Sequence, residues 1–223
     1  MSPLQVSRPL MPLTQAQYAY NELRSAITTG QLPGGAHIVQ SEWAARLDVS
    51  ITPIREAIRR LEQDGLARSE AHKGTTVNPF SIDRAAEIVS LRKALDPMQF
   101  RRVAESSPSR AAHAAELYAK MQELNDPVQF SDLDLEFHRV VMGIDESWTA
   151  RLTQTLIVAS SPYVAVALAH NPRLLEKENE HHAQFVAALK AGDVEGLIEL
   201  NEQHVSQVFH ALQDVDLPSV LGN

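Results

Sequence analysis

The sequence predicts a mainly α-helical chain in two parts, a small mixed head followed by an all-α bundle. Three observations carry that expectation. Apolar residues recur at helical spacing through most of the 223 residues. Residues 66–78 break the period and alternate as two short strands would. The charge is also divided. Residues 1–79 hold eight basic and seven acidic side chains, a net of +1, and residues 80–223 hold twelve and twenty-one, a net of −9, which together give −8. The first part can meet a polyanion through a local patch, and the second cannot. The expected division is an arm over 1–11, the head over 12–79, the bundle over 80–215 and a frayed tail over 216–223.

The elements follow in order. A first helix is expected over 14–29, with Ala19, Leu23, Ala26 and Ile27 as its inner stripe and Gly30 as its stop. Leu32-Pro33-Gly34-Gly35 reads as a turn. A short helix fits 41–47, with Trp43, Ala44 and Leu47 inward, and Asp48-Val49-Ser50 is a tight connection. The third helix starts with Thr52 as N-cap and Pro53 in the first helical position, where a missing N–H costs nothing. It buries Ile54, Ala57, Ile58 and Leu61 and ends at Gly65. Two strands joined by Ala71-His72-Lys73-Gly74 complete the head. Pro79-Phe80-Ser81 marks the boundary. Helices are then expected near 82–105, 109–124, 128–144, 147–170, 173–191 and 193–212, with a kink or break at Pro97.

Composition narrows the function classes. With 44% hydrophobic and 22% charged residues the chain can bury a core. Cysteine is absent, which excludes disulfides, zinc ribbons and thiol nucleophiles and suits a reducing compartment. No run approaches about 18 uninterrupted apolar residues, and the start carries no cleavable-leader pattern. A cytoplasmic protein with no membrane partner is expected.

The order helix, short helix, tight turn, helix, hairpin is that of a winged helix-turn-helix, whose third helix fits the major groove of DNA. Arg55 and Arg59, four residues apart, share one face of that helix. Ser50 and Thr52 offer hydroxyl or backbone contacts to phosphate at its start. His72, Lys73 and Gly74 at the hairpin tip reach toward the minor groove or the backbone. On spacing alone, the arginine pair also fits a merely solvated face.

A second pattern lies in the bundle. Asp134 and His138 are spaced i, i+4 on an apolar side of their helix. His182 shares a face with Phe185, Val186 and Leu189, and His204 one with Leu197, Leu200, Val208 and Ala211. Three helices thus aim imidazoles and a carboxylate at one interior. That donor set suits zinc first, with nickel or manganese as alternatives, over calcium. Each histidine alone also fits an ordinary core or surface position. His181, next in sequence to His182, is about 100° around the helix and is expected to face solvent.

The run Val49-Ser50-Ile51-Thr52-Pro53-Ile54-Arg55-Glu56-Ala57-Ile58-Arg59-Arg60-Leu61, followed by Gly65-Leu66, resembles the DNA-binding domain of the GntR family of bacterial regulators. The resemblance implies that Arg55 is a principal operator contact, assisted by Thr52 and the hairpin tip. Ile51 departs from it, since the family often carries arginine there. Asp134-x-x-x-His138, the run from His182 to Asp193 and then His204 are similar to the FCD effector domain of the FadR branch. That resemblance implies a divalent metal on Asp134, His138, His182 and His204. It also matches Arg92 to an arginine common in the first effector-domain helix, suited to a small carboxylate ligand. An ion pair with Asp96 fits Arg92 equally. His181 replaces the family's usual glutamate.

The function expected is a metabolite-responsive transcriptional regulator, and a repressor before an activator. It binds a pseudo-palindromic double-stranded DNA operator as a homodimer, with a metal-dependent organic-acid site. It is not expected to be an enzyme. Two other readings stay open: a metal-dependent hydrolase using Glu136 or Glu180 as base, which leaves the head without a role, and a metal-stabilised dimerisation module without an effector. A ferritin-like di-iron site needs two Glu-x-x-His motifs and fails: Glu178-Asn179-Glu180-His181 offers one, but Asn201 stands where the second, before His204, needs glutamate.

Overall fold

The structure, a computed structural model, describes residues 14–124, 127–143, 145–213, 215 and 217. The expected arm over 1–11 lies outside the described residues, as does the tail apart from Leu217.

Three helices and a hairpin form the head: α1 (Gln15–Thr28), α2 (Gln40–Leu47), α3 (Ile51–Gln63), β1 (Ala67–Glu70) and β2 (Gly74–Val77). The expected inner residues of α1 and α3 are all buried, as are Trp43 and Ala44. Helix α3 starts two residues earlier than the sequence reading has it. Ser50 is the N-cap, without a side-chain cap bond, and Thr52 lies inside the helix. Pro53 is therefore the third helical residue. It fits there because the first-turn N–H groups have no intrahelical acceptor. The strands pair antiparallel from Ala67 opposite Val77 to Glu70 opposite Gly74. Gly74 turns the chain at φ +81° with open space around it, so it is needed for its backbone and not for room.

Among the described residues six helices form the bundle: α4 (Ile82–Arg102), α5 (Ser107–Gln122), α6 (Pro127–Met142), α7 (Trp148–His170), α8 (Pro172–Ala191) and α9 (Val194–Leu212), with a 3-10 turn at Ala104–Ser106. Side chains of Ser81, Ser147 and Asp193 cap α4, α7 and α9 by accepting first-turn N–H groups. Each such cap contributes about 1 kcal/mol. Pro97 does not break α4, which runs through it. Pro162 sits inside α7 as well, and the Ser161 hydroxyl donates to the Val158 carbonyl at 2.8 Å, supplying a donor where proline has none.

Helix α7 is apolar and long enough to cross a membrane by composition alone. Ile157, Val158, Val166 and Ala167 on it are buried in the bundle, while Trp148 and Leu152 near its start are exposed. Phe100, Phe130, Phe137 and Phe185 fill the rest of that core. Leu217 is also fully buried, where the sequence reading has the chain fraying.

Candidate DNA-reading face and buried histidine site

On the head, α3 turns its apolar stripe inward and leaves Thr52, Arg55 and Arg59 exposed beside Ser50. The first turn, where Thr52 and Arg55 lie, is the part of such a helix that reaches base edges. Arg55 Nε donates to Gln40 Oε1 of α2 at 3.0 Å, so the guanidinium is held in place and not free to wander. Sequence reasoning missed Gln40, because nothing marks a contact fifteen residues back. Ile51 is 43% exposed in the same turn, an apolar group on a face of polar ones. At the hairpin tip His72, Lys73 and Gly74 are all exposed, His72 with φ +65°. Lys73 Nζ is tied to Glu70 at 2.7 Å. Arg68 of β1 lines the same shallow groove as Lys73 and Gly74, a basic group the sequence reading left out.

In the bundle the four expected residues converge. Asp134 and His138 come from α6, His182 from α8 and His204 from α9, and none is more than 6% exposed. Asp134 Oδ1 lies 3.1 Å from His182 Nε2 and 3.5 Å from His138 Nε2. The His204 ring centre is 4.6 Å from that of His138 and 5.5 Å from that of His182.

A fifth group joins them. Glu178 is fully buried, with Oε2 3.3 Å from His204 Nε2, and Gln207 donates to its Oε1 at 3.2 Å. The signal for it was present: Glu178 precedes His182 by four residues, as Asp134 precedes His138. His181 corrects the expectation that it faces solvent. Its Nδ1 is buried, and its ring centre lies 5.6 Å from that of His204.

Among the described residues, three sets of these side chains bring possible ligand atoms within 4.8 Å of one another: His138–His182–His204, Asp134–Glu178–His182 and Glu178–His181–His204. Asp134 Oδ1, His138 Nε2, both His182 nitrogens, His204 Nδ1 and Glu178 Oε2 are buried without a hydrogen-bond partner. The short approaches above therefore lack hydrogen-bond alignment. Each such atom costs about 1–3 kcal/mol when left unsatisfied. Several gathered at one point fit a group that accepts their lone pairs, a metal cation.

The protonation states agree. Burial lowers the pKa of His182 and lowers that of His204 further, so both imidazoles stay neutral. Burial alone would raise Asp134, but His138 and His182 more than offset it and hold the carboxyl far below its usual range. Burial, then the charge of Asp134, pushes Glu178 well up. Neutral imidazoles and one ionised carboxylate are the forms that bind a metal.

A cavity of about 40 Å³ opens beside this cluster, lined by Arg92, Asp134, His138 and His204 and closed by apolar residues of α7 and α9. Arg92 is 5% exposed and its Nε bonds to Asp96 Oδ2 at 3.1 Å, while Asn201 donates to the same oxygen at 3.0 Å. Arg92 Nη2 is buried and unpartnered among the described residues. Arg92 thus makes the expected ion pair with Asp96 and keeps a spare buried donor at Nη2.

Residues 15–77 match the model of the gntR family of bacterial regulatory proteins, and residues 87–207, more than half of the chain, match the FCD domain. The chain belongs to the GntR family. It is a DNA-binding transcriptional regulator with a C-terminal FCD domain and not an enzyme. A probable D-xylose utilization operon transcriptional repressor of Paenarthrobacter nicotinovorans is 32% identical over 193 residues, 85% of this chain and 84% of its own length. The gluconate operon transcriptional repressor of Bacillus subtilis is 24% identical over 213 residues, 91% of this chain and 86% of its own. The solved structure of Escherichia coli McbR/YncC superposes with a TM-score of 0.70 at 27% identity, covering 90% of this chain and 97% of that one.

Proposed function

We propose that this regulator is a metabolite-responsive repressor whose FCD domain reads a small carboxylate through a bound divalent metal. The observation that carries the reading is the shared cavity. Asp134, His138, His204 and Arg92, each with a buried polar atom that lacks a hydrogen-bond partner among the described residues, border the same cavity.

Asp134, His138, His182 and His204 hold the metal, zinc first, with nickel or manganese as alternatives. When bound, it supplies a cationic anchor for a carboxylate oxygen. Arg92 orients the same carboxylate through its second edge, and Asp96 with Asn201 keeps the guanidinium in place.

In the head, residues 12–79, Arg55 and Arg59 read the major groove, with Ser50 and Thr52 on adjoining phosphates. His72, Lys73 and Gly74 grip the flanking groove or backbone. Two heads act on a pseudo-palindromic operator. Leu91 and Met98 support a homodimer through the bundle, residues 80–215: they are 44% and 56% exposed and seven residues apart on α4, hence on one face. The relatives named as operon repressors support repression as the sign, in the cytoplasm.

The test is metal analysis of the purified protein, joined to a thermal-shift screen of organic and sugar acids. Stabilisation by a carboxylate that disappears in His182→Ala, along with the metal, supports the site. Equal stabilisation of both proteins overturns it. A metal that is present with no stabilising acid favours a dimerisation module.

A further inference from the structure

We infer that the cavity beside the histidine cluster takes a short-chain aliphatic monocarboxylate, an acid whose body carries no hydroxyl groups, and not a sugar acid. This ligand class deepens the carboxylate reading proposed above and rests on it.

Charge is confined to one end of the cavity. Apart from two serines and a tyrosine, Arg92, Asp134, His138 and His204 bring the only polar side chains to its wall among the described residues. Both long walls turn apolar away from them. On α4, Arg92 gives way toward the helix start to Ile88 and then to Ala85. On α9, His204 gives way to Val208 and then to Leu212, each one turn further on. The seven-residue step on α4 and the eight-residue step on α9 make an arm about 10–12 Å long. Helix α7 closes it with Ile157 and Val164.

The polar groups along the arm are already in use. Ser160 and Ser161 donate their only hydroxyl protons to the Ile157 and Val158 carbonyls, each at 2.8 Å. The Tyr163 hydroxyl accepts from the Ser81 N–H at 3.4 Å, at the boundary with the head. A sugar acid brings a hydroxyl on nearly every carbon, and each one left without a partner lowers affinity by about 5- to 150-fold. A methylene in the same place tightens binding by about fourfold when it is fully buried.

Size sets the other limit. The free space is about 40 Å³, which suits a body of a few carbons and not a long acyl chain. With the carboxylate held at Arg92 and the histidine cluster, that body points along the arm toward Tyr163. The Tyr163 ring packs edge-on against Phe80 at 5.6 Å, so the far end of the ligand lies next to the boundary between bundle and head.

Calorimetric titration of the full chain, with zinc supplied, tests the ligand class with a matched pair, butyrate and erythronate. Both acids have four carbons and one carboxylate, and erythronate adds three hydroxyls. Butyrate is expected to bind one equivalent per chain at least tenfold more tightly than erythronate. Acetate, propionate and butyrate should tighten in that order, by up to about fourfold per carbon. Val208→Thr, which puts a hydroxyl into the arm at nearly equal size, should weaken butyrate at least threefold, and Ile88→Thr gives the same comparison if Val208→Thr folds poorly by circular dichroism. Erythronate binding as tightly as butyrate, or more tightly, overturns the ligand class, and loss of that binding in His182→Ala would leave the carboxylate site itself standing. A preference for butyrate that survives in His182→Ala keeps the apolar arm and removes the metal from the reading. If neither acid binds, both fall.

Discussion

The wing of the head keeps an ion pair in water, whereas the core of the bundle seals one away from it. Lys73 and Glu70 on the wing are paired at 2.7 Å with side chains 75% and 45% exposed. Arg92 and Asp96 in the bundle are paired at a similar 3.1 Å with side chains 7% and 0% exposed. The distances nearly match and the energetic consequences do not. An exposed pair gains little because water already satisfies both ions. A buried pair cannot lose one member without stranding the other. The difference follows from the tasks. A DNA-reading face must meet a solvated polyanion, so its side chains stay available. A site that senses a small molecule must exclude water so that a few polar contacts can decide an equilibrium.

The largest effect expected is therefore in the bundle. Asp96→Ala strands Arg92 and costs about 3–5 kcal/mol, a fall in Tm of about 10 °C by calorimetry. A change of under about 3 °C would mean that water reaches the pair. Next comes metal removal. Dialysis against a chelator is expected to lower Tm by about 5–10 °C, the loss of a ligand held near 100 times its Kd. The same treatment of His182→Ala should do nothing, and an equal drop there would place the metal elsewhere.

In the head the expectation reverses, with function lost and stability kept. Arg55→Ala should reduce operator affinity about 5- to 150-fold, the 1–3 kcal/mol of one good base contact, with Tm unchanged. Gln40→Ala should give a smaller loss in the same direction, and no loss would show that the Gln40 contact does not position Arg55. Glu70→Ala on the wing should cost less than about 1 kcal/mol.

The smallest effect is one of pH, on the bundle's own surface. Hydrogen bonds from Ser147 and then Arg102 hold the Asp145 carboxyl down at about 2. Its contribution to stability is present above the ordinary carboxylate range, near 4, and is lost as pH falls toward 2. Asp145→Asn should flatten that part of the acid-unfolding curve, and an unchanged curve would remove the Asp145 contacts from the list of stabilising ones.

The same contrast explains what could be read from the sequence. The head was legible because its pattern is local. Apolar stripes, Gly65 and the hairpin tip each announce themselves within a few residues. The shift of the α3 N-cap from Thr52 to Ser50 arose because both are capping residues and proline is accepted anywhere in the first turn. In the bundle, Asp134, His138, His182 and His204 were legible because each sits on an apolar helix face, where a polar group needs a reason. Glu178 obeys the same rule, but it was read with His181 as half of a di-iron motif that fails. Asn201 on Asp96, 105 residues away, and the apolar arm shared by α4, α7 and α9 depend on how helices dock, and no local pattern encodes that.

The most direct measurement is operator affinity by fluorescence anisotropy, with and without the carboxylate that best stabilises the protein, in wild type and in His182→Ala. The account predicts a change of about 5- to 150-fold in wild type, a coupling of roughly 1–3 kcal/mol, and none in the variant, which keeps the ligand-free affinity. An equal change in both, or none in a wild type that binds the carboxylate, would contradict it.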